Sequence, residues 1–312
     1  MRFRSLATWC LPVCLAAAAS ATGVDSGAVG AAARSAGGAA RSAGVPAAWK
    51  SARALVPASI RKSGVVTVAT TASYPPYELY ASNNKTIVGV DPDLGHALGK
   101  VLGLDFEFHN VTYDAIPTEI KDGHYDLGMS AIGVFKFREK VVDFVDYATF
   151  GEAFLTPKTS TFTSDDLSEV CGETIAAQSG TSESIQLGEQ NKICTSEHKK
   201  GVNALTYPSE NTAVLAVHSG RAPVLFADLA TADWVLKENP GEYRLLVVHD
   251  PSIKGLTGPY GIALAKTSKL LKPVEAALEI LISDGTYQKI FAKWGVKQDE
   301  IRTVQINHGV TT

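Results

Sequence analysis

Chemistry in this chain would have to come from a few polar residues at the ends of apolar segments. Arg138 stands shortly after Ser130, where an expected strand gives way to a loop. Its planar fork suits a two-point contact with a carboxylate, although an arginine within Arg138-Glu139-Lys140 is, taken alone, more often a solvated charge. Asp228 follows the apolar run 224–227, at the carboxyl end of an expected strand, which is where α/β folds collect ligands. Capping the next helix is its competing role. Gln178-Ser179-Gly180-Thr181-Ser182 lies between a strand and a helix and offers amides and hydroxyls to an anion. Most capped helices hold only water there. Tyr74-Pro75-Pro76-Tyr77 and Tyr113 present aromatic faces, with core packing as the alternative.

Catalytic and metal-binding patterns are poor. There is no H-E-x-x-H, no G-x-S-x-G and no Walker loop, and the seven histidines show no ligand spacing. Asp91-Pro92 opens a helical pattern and reads as an N-cap followed by an N1 proline. No cofactor or metal is expected.

The elements that must position these residues follow from composition and pattern. The chain has 312 residues, 45% apolar and 20% charged, which is too apolar for disorder and too mixed for a membrane bundle. Residues 59–312 hold 23 basic against 31 acidic side chains. That balance argues against a nucleic-acid partner, whose affinity rests on neutralising phosphates. Arg2 and Arg4 precede an apolar run from Leu6 to Ala19 that is too short to span a bilayer, so residues 1–21 read as an export signal, cleaved after Ala21. Lipid anchoring through Cys14 ranks second. Cys10 and Cys14 leave with the signal, and the remaining pair, Cys171 and Cys194, is expected to form a disulfide in an oxidising compartment. Residues 22–59, rich in Ala, Gly and Ser, read as a flexible tether.

From about residue 60 strands and helices alternate: strands at 65–69, 104–108, 125–130, 153–156, 174–177, 204–207, 224–227, 245–248 and 260–265, and helices at 91–102, 113–121, 182–189, 210–218, 229–238, 268–282 and 287–294. This is an α/β chain with too many strands for one compact sheet in sequence order. Two lobes are the economical arrangement.

In their order these segments resemble the family 3 periplasmic solute-binding proteins of ABC amino-acid importers. The resemblance is carried by residues 71–78 (TASYPPYE), 88–94 (VGVDPDL), 123–130 (GHYDLGMS), 138–144 (REKVVDF), Gln178-Ser179-Gly180-Thr181, Ser219-Gly220-Arg221 with Ala227-Asp228, Tyr260-Gly261-Ile262-Ala263 and Asp284-Gly285-Thr286-Tyr287. It implies a type II periplasmic binding fold, with one lobe of residues 60–151 and 259–312 and another of 152–258, each a small mostly parallel sheet flanked by helices. It further implies that Arg138 grips a ligand α-carboxylate with the amides of Gly133 and Ser182, that Asp228 takes the α-ammonium, and that Tyr74 and Tyr113 sandwich the side chain. Ser130, Thr181, Thr71 and Glu183 complete the implied site. The implied function is capture of an amino acid by a periplasmic monomer and delivery to an ABC permease in the inner membrane.

The chain departs from the pattern in places. Gly133 stands where a hydroxyl residue is usual, Thr71 where members with basic ligands tend to carry Asp, and Phe135, Lys136 and Phe137 are atypical before the arginine. Loss of the acid at 71 weakens a Lys or Arg ligand, Glu183 could partly restore one, and a polar or aromatic-compatible amino acid is the expectation. Two alternatives use the same cleft: a cyclohexadienyl dehydratase-like enzyme with Glu173 or Glu183 as general acid, or a ligand-sensing partner of a membrane receptor.

Overall fold

The computed structural model describes residues 45–249 and 255–311. The expected export signal and the tether up to residue 44 lie outside the described residues. The rest of the expected tether is corrected: α1 (Ala47–Leu55) and α2 (Ala58–Ser63) occupy it. Helix α1 buries Ala52, with Val56 buried just past its end and Trp49 packed on the core. Arg53 donates from Nε to the Val101 carbonyl (2.8 Å) and from Nη2 to that of Lys100 (2.9 Å), in the last turn of α3 (Val90–Leu102). Those carbonyls lack intrahelical partners. Three apolar positions among alanines are too few to signal a helix, and docking supplies what local pattern does not.

Strand β1 (Val65–Thr70) precedes a small sheet of β2 (Ser73–Tyr74), β3 (Glu78–Tyr80) and β4 (Ile87–Val88), and α3 leads into β5 (Asp105–Asn110). Next come α4 (Ile116–Lys121), β6 (Leu127–Gly128) and β7 (Val142–Pro157). The segment expected as the second lobe holds β8 (Thr174–Gln178), α5 (Ser182–Ser196), β9 (Asn203–Tyr207), α6 (Glu210–His218), β10 (Val224–Asp228), α7 (Leu229–Glu238) and β11 (Tyr243–Val247). The chain then returns through β12 (Thr257–Ala265), α8 (Leu271–Ser283), α9 (Thr286–Trp294) and β13 (Gln305–Ile306).

The main sheet runs β5-β1-β6-β12-β7-β10-β8-β9, with β11 and β13 also on β7. Strand β7 is the common member. Its residues 142–151 pair with β12, and its residues 152–157 with β10 and β11. Only 153–156 was expected as strand there, because Asp143, Asp146 and Gly151 interrupt the apolar pattern. Alternation along the second-lobe strands sends Phe154, Ile175 and Phe226 to one face with Leu187 of α5, and Leu155, Ala176 and Leu225 to the other with Ala213 of α6 and Ala232 of α7. The first lobe packs Val66, Val68, Leu94, Leu98, Phe106, Leu264 and Leu278 in one core.

Cys171 and Cys194 are disulfide-bonded, as expected, with Cα atoms 5.6 Å apart, joining the end of α5 to the loop before β8. On the loop-entropy model, closing this segment stabilises the fold by roughly 3.5 kcal/mol. The N-cap expectation for Asp91 fails. Gly89 caps α3, and Asp91 lies in its first turn, where Oδ2 accepts from the Ala131 amide (2.9 Å). A buried amide in the neighbouring loop competes for that carboxylate more strongly than the helix start does.

Candidate functional site

The polar residues singled out in the sequence lie at or beyond the ends of β1, β6, β8 and β10, where Tyr74 meets Asp228 and Arg138 meets Gly180. Arg138 begins a 3-10 turn after Phe137 and is 5% exposed. Its Nη1 donates to the Gly133 carbonyl (2.7 Å), and its Nη2 to the Gly180 carbonyl (2.7 Å) on the second lobe. The guanidinium carbon lies 5.7 Å from the Tyr113 ring centre, 5.3 Å from that of Phe135 and 5.4 Å from that of Phe137. Three ring faces hold the cation where water would otherwise solvate it. Gly180 has φ +79°, and a Cβ on it would stand 2.6 Å from the Asp114 Cβ, so glycine lets the lobes approach here.

Asp228 ends β10 and is the N-cap of α7, yet its side chain makes no cap bond. Oδ2 instead accepts from the Tyr74 hydroxyl (2.6 Å) and from the Tyr260 hydroxyl, while Oδ1 is buried without a partner. The Tyr74 hydroxyl also lies 3.4 Å from Oε1 of Glu183, in the first turn of α5. Two further carboxylates close on this group. Glu152 lies opposite Asp228 in the β7–β10 pairing, with Oε1 bonded to Gln186 Nε2 (2.9 Å) and Oε2 buried and unpartnered. Glu210 opens α6, 1% exposed, and its Oε1 is also unpartnered.

The electrostatics follow from that crowding. Burial pushes the Asp228 carboxyl well above its ordinary range, and the Glu183 charge pushes it further, against the two tyrosine bonds. Burial raises Glu183, opposed by hydrogen bonds and by Arg138. Glu152 and Glu210 are raised by burial and then by the charges of Glu183 and Asp228. Burial also lifts Tyr113 to about 12, so it stays a neutral ring. Among the described residues Arg138 is the one buried basic side chain. Four acids therefore crowd one another, with the Arg138 charge felt at Glu183, and a positively charged guest would relieve them.

Several expected site residues are occupied internally. Ser130 donates to Glu78 Oε1 (2.7 Å) and accepts from the Thr71 amide (3.0 Å). Thr71 Oγ1 donates to the Val111 carbonyl (3.0 Å). Thr181 caps α5 and donates to the Gln178 carbonyl (2.8 Å), and the Ser182 hydroxyl turns to Glu183 (3.3 Å). Gly133 presents its carbonyl to Arg138, and a Cβ there would meet the Phe135 ring at 2.7 Å, so the atypical glycine and the atypical phenylalanine explain each other. Tyr74 and Tyr113 make no ring contact with each other among the described residues; the first serves Asp228 and the second faces Arg138. Glu173 precedes β8 at the end remote from the crevice, five residues from Gln178, roughly 15 Å at strand rise. It is therefore dropped as an acid for any chemistry there. No group of His, Cys, Asp and Glu among the described residues could hold a metal.

Sequence reading missed Tyr260, Glu152 and Glu210. Glu152 left a signal, a lone acid in the apolar run 150–155. Glu210 read as an ordinary first-turn acid, and Tyr260 as an ordinary strand aromatic. A cavity of about 270 Å³ opens beside Arg138, lined from the first lobe by Tyr113, Ile132 and Phe137 and from the second by Gly180 and Ile185.

Comparison with known proteins bears on this geometry. Residues 66–297 match the model of the bacterial extracellular solute-binding proteins, family 3. The chain is 31% identical over 264 residues to the arginine-binding protein ArgT of Corynebacterium glutamicum, covering 84% of each chain. It is 32% identical over 228 residues to ABC transporter arginine-binding protein 1 of Escherichia coli, covering 72% of this chain and 87% of that one. The solved structure of an ancestral arginine-binding protein bound to arginine is similar at a TM-score of 0.66 and 29% identity, over 74% of this chain and 98% of that one.

Proposed function

The chain belongs to the bacterial extracellular solute-binding proteins of family 3, and we propose that the solute it captures between its lobes is a cationic amino acid, L-arginine above others. One observation carries this choice: Glu152, Glu183, Glu210 and Asp228 are all buried against one another, and among the described residues Arg138 is the one buried basic side chain. A neutral amino acid adds no net charge and leaves that excess standing. Arginine brings a carboxylate for Arg138 and two cations for the acids. The missing acid at position 71 does not remove the preference, because the second lobe supplies the charge instead. The names of the relatives agree with this assignment.

In the proposed complex Arg138 turns its fork to the α-carboxylate, Asp228 takes the α-ammonium, and Glu183 with its acidic neighbours faces the guanidinium. Each charge-assisted bond contributes about 1.5–3 kcal/mol net, and such a set reaches micromolar affinity, about −8 kcal/mol. The protein performs no chemistry on the guest. It works outside the cytoplasmic membrane, as a monomer, and passes its cargo to an ABC permease.

Calorimetry and thermal melting with L-arginine, L-lysine, L-histidine and L-glutamine test the assignment, together with mass spectrometry of solutes released from the purified protein. Arginine should bind most tightly and, at a hundredfold excess over Kd, stabilise the fold by about 2.7 kcal/mol. Tighter binding of glutamine than of arginine would refute it.

A further inference from the structure

We propose that residues 305–310 form a strap that positions Arg138 for amino-acid binding without touching the amino acid. The strap lies beyond the family match, which ends at residue 297. Strand β13 pairs antiparallel with Val145 and Asp146 of β7. Asn307 then fastens the strap to the same strand: Oδ1 accepts from the Phe144 amide (2.8 Å) and Nδ2 donates to Asp143 Oδ1 (2.8 Å). The His308 amide still donates to Asp146 Oδ2 of β7 (3.3 Å), and the next two residues reach the segment that carries the arginine. The Gly309 amide donates to Glu139 Oε1 (2.7 Å), the Val310 amide to the Val134 carbonyl (3.0 Å), and the Lys136 amide to the Val310 carbonyl (2.9 Å). Lys136 Nζ adds a bond to the Asn307 carbonyl (3.2 Å).

These contacts bracket Arg138, falling on 134, 136 and 139. The segment has little of its own to hold it. Its helical part is the three-residue turn Arg138–Lys140, which is too short to be stable alone. Apart from the strap, the Arg138 side chain is held by the Gly133 and Gly180 carbonyls, and the segment's backbone is anchored by the Val134 amide on the Pro259 carbonyl. Between the strap and that anchor lies Phe135, fully buried, with its ring against the guanidinium. Releasing the strap frees the peptide groups on both sides of Phe135, so the fork is no longer pre-organised and binding must supply the ordering.

The fit leaves no slack at Gly309. A Cβ there would stand 2.7 Å from Glu139 Oε1 and 2.9 Å from the Val134 carbonyl oxygen. Gly309→Val in the full chain is therefore the lever, with Asn307→Ala as a milder second variant that keeps the backbone pairing. The proposal rests on Arg138 being the carboxylate grip, so two readouts are needed, one independent of any ligand.

In ligand-free protein, amide exchange at residues 134–140 should accelerate in both variants while β8 and β10 keep their protection. With L-arginine as the probe at 25 °C, Kd should rise about tenfold if the competent arrangement falls to one molecule in ten. Glu139→Gln, which keeps an acceptor for the Gly309 amide, should bind like the unaltered chain, whereas Glu139→Ala should follow Gly309→Val. Unchanged exchange at 134–140 overturns the proposal. So does an unaltered Kd accompanied by a lower melting temperature, which would make the strap a stabiliser only. If the unaltered chain ignores arginine, the arginine assignment fails, and the exchange readout alone decides the strap.

Discussion

The two walls of the cleft are built on opposite plans. The first-lobe wall offers one guanidinium, ringed by Tyr113, Phe135 and Phe137, whereas the second-lobe wall offers Glu152, Glu183, Glu210 and Asp228, of which three keep a carboxylate oxygen buried without a partner. First-lobe Glu78 and Asp91 are just as buried and each also keeps one oxygen without a partner, but Ser130 and the Ala131 amide of their own lobe bond the other oxygen. The difference between the walls therefore lies in Arg138, a buried basic side chain with no counterpart on the second-lobe wall among the described residues. A ligand with one negative and two positive groups satisfies both walls only when the lobes meet. In the proposed complex closure and recognition become one event, framed by the contacts from Arg138 to Gly180 and from Tyr74 to Asp228.

This contrast can be broken most severely at its single cation. Arg138→Ala should weaken arginine binding by roughly a hundredfold to ten-thousandfold in calorimetry, since two charge-assisted bonds to the carboxylate go. An affinity within threefold of the unaltered chain would mean that the first-lobe wall does not read the carboxylate. Glu183→Gln tests the other wall with little change of shape. Arginine should lose about tenfold to a hundredfold while glutamine is nearly unaffected, because only the charged guest feels the missing carboxylate; equal losses for both would show Glu183 to be structural.

The smallest effect is on pH dependence. Asp228 and Glu183 are raised in the free protein, and a cationic guest favours their ionised forms, so binding expels protons. Arginine affinity should therefore rise several-fold from pH 5.5 to 8, and the slope should flatten in Glu183→Gln. A falling affinity over that range would invert the charge assignment of the second-lobe wall.

How much of this was legible differs by element. The helices at 210–218 and 229–238 appear with the expected bounds, because their caps and apolar spacing lie within a few residues of each other. Strand β7 was only a quarter legible, since its 16 residues serve two lobes and its polar interruptions face partners far away in sequence. Helix α1 was misread because its stability comes from docking on α3. In the site, Arg138, Asp228 and Tyr74 stood out by residue type and position at strand ends. Thr181 stood out in the segment before a helix, and Ser130 and Thr71 only through the family resemblance; all three turned inward, since a hydroxyl bonds whichever neighbour folding supplies.

The amino-acid order alone determined the alternation of strands and helices and the cysteine pair, because each depends on local periodicity or on residue type, while the family was indicated by a resemblance of eight short segments in order. The sign of charge in the cleft was settled by long-range pairing. Glu152 meets Asp228 only because β7 runs beside β10, and Glu210 joins them from a third element. Burial then makes their shared repulsion large, because a low-dielectric interior strengthens what water would have screened.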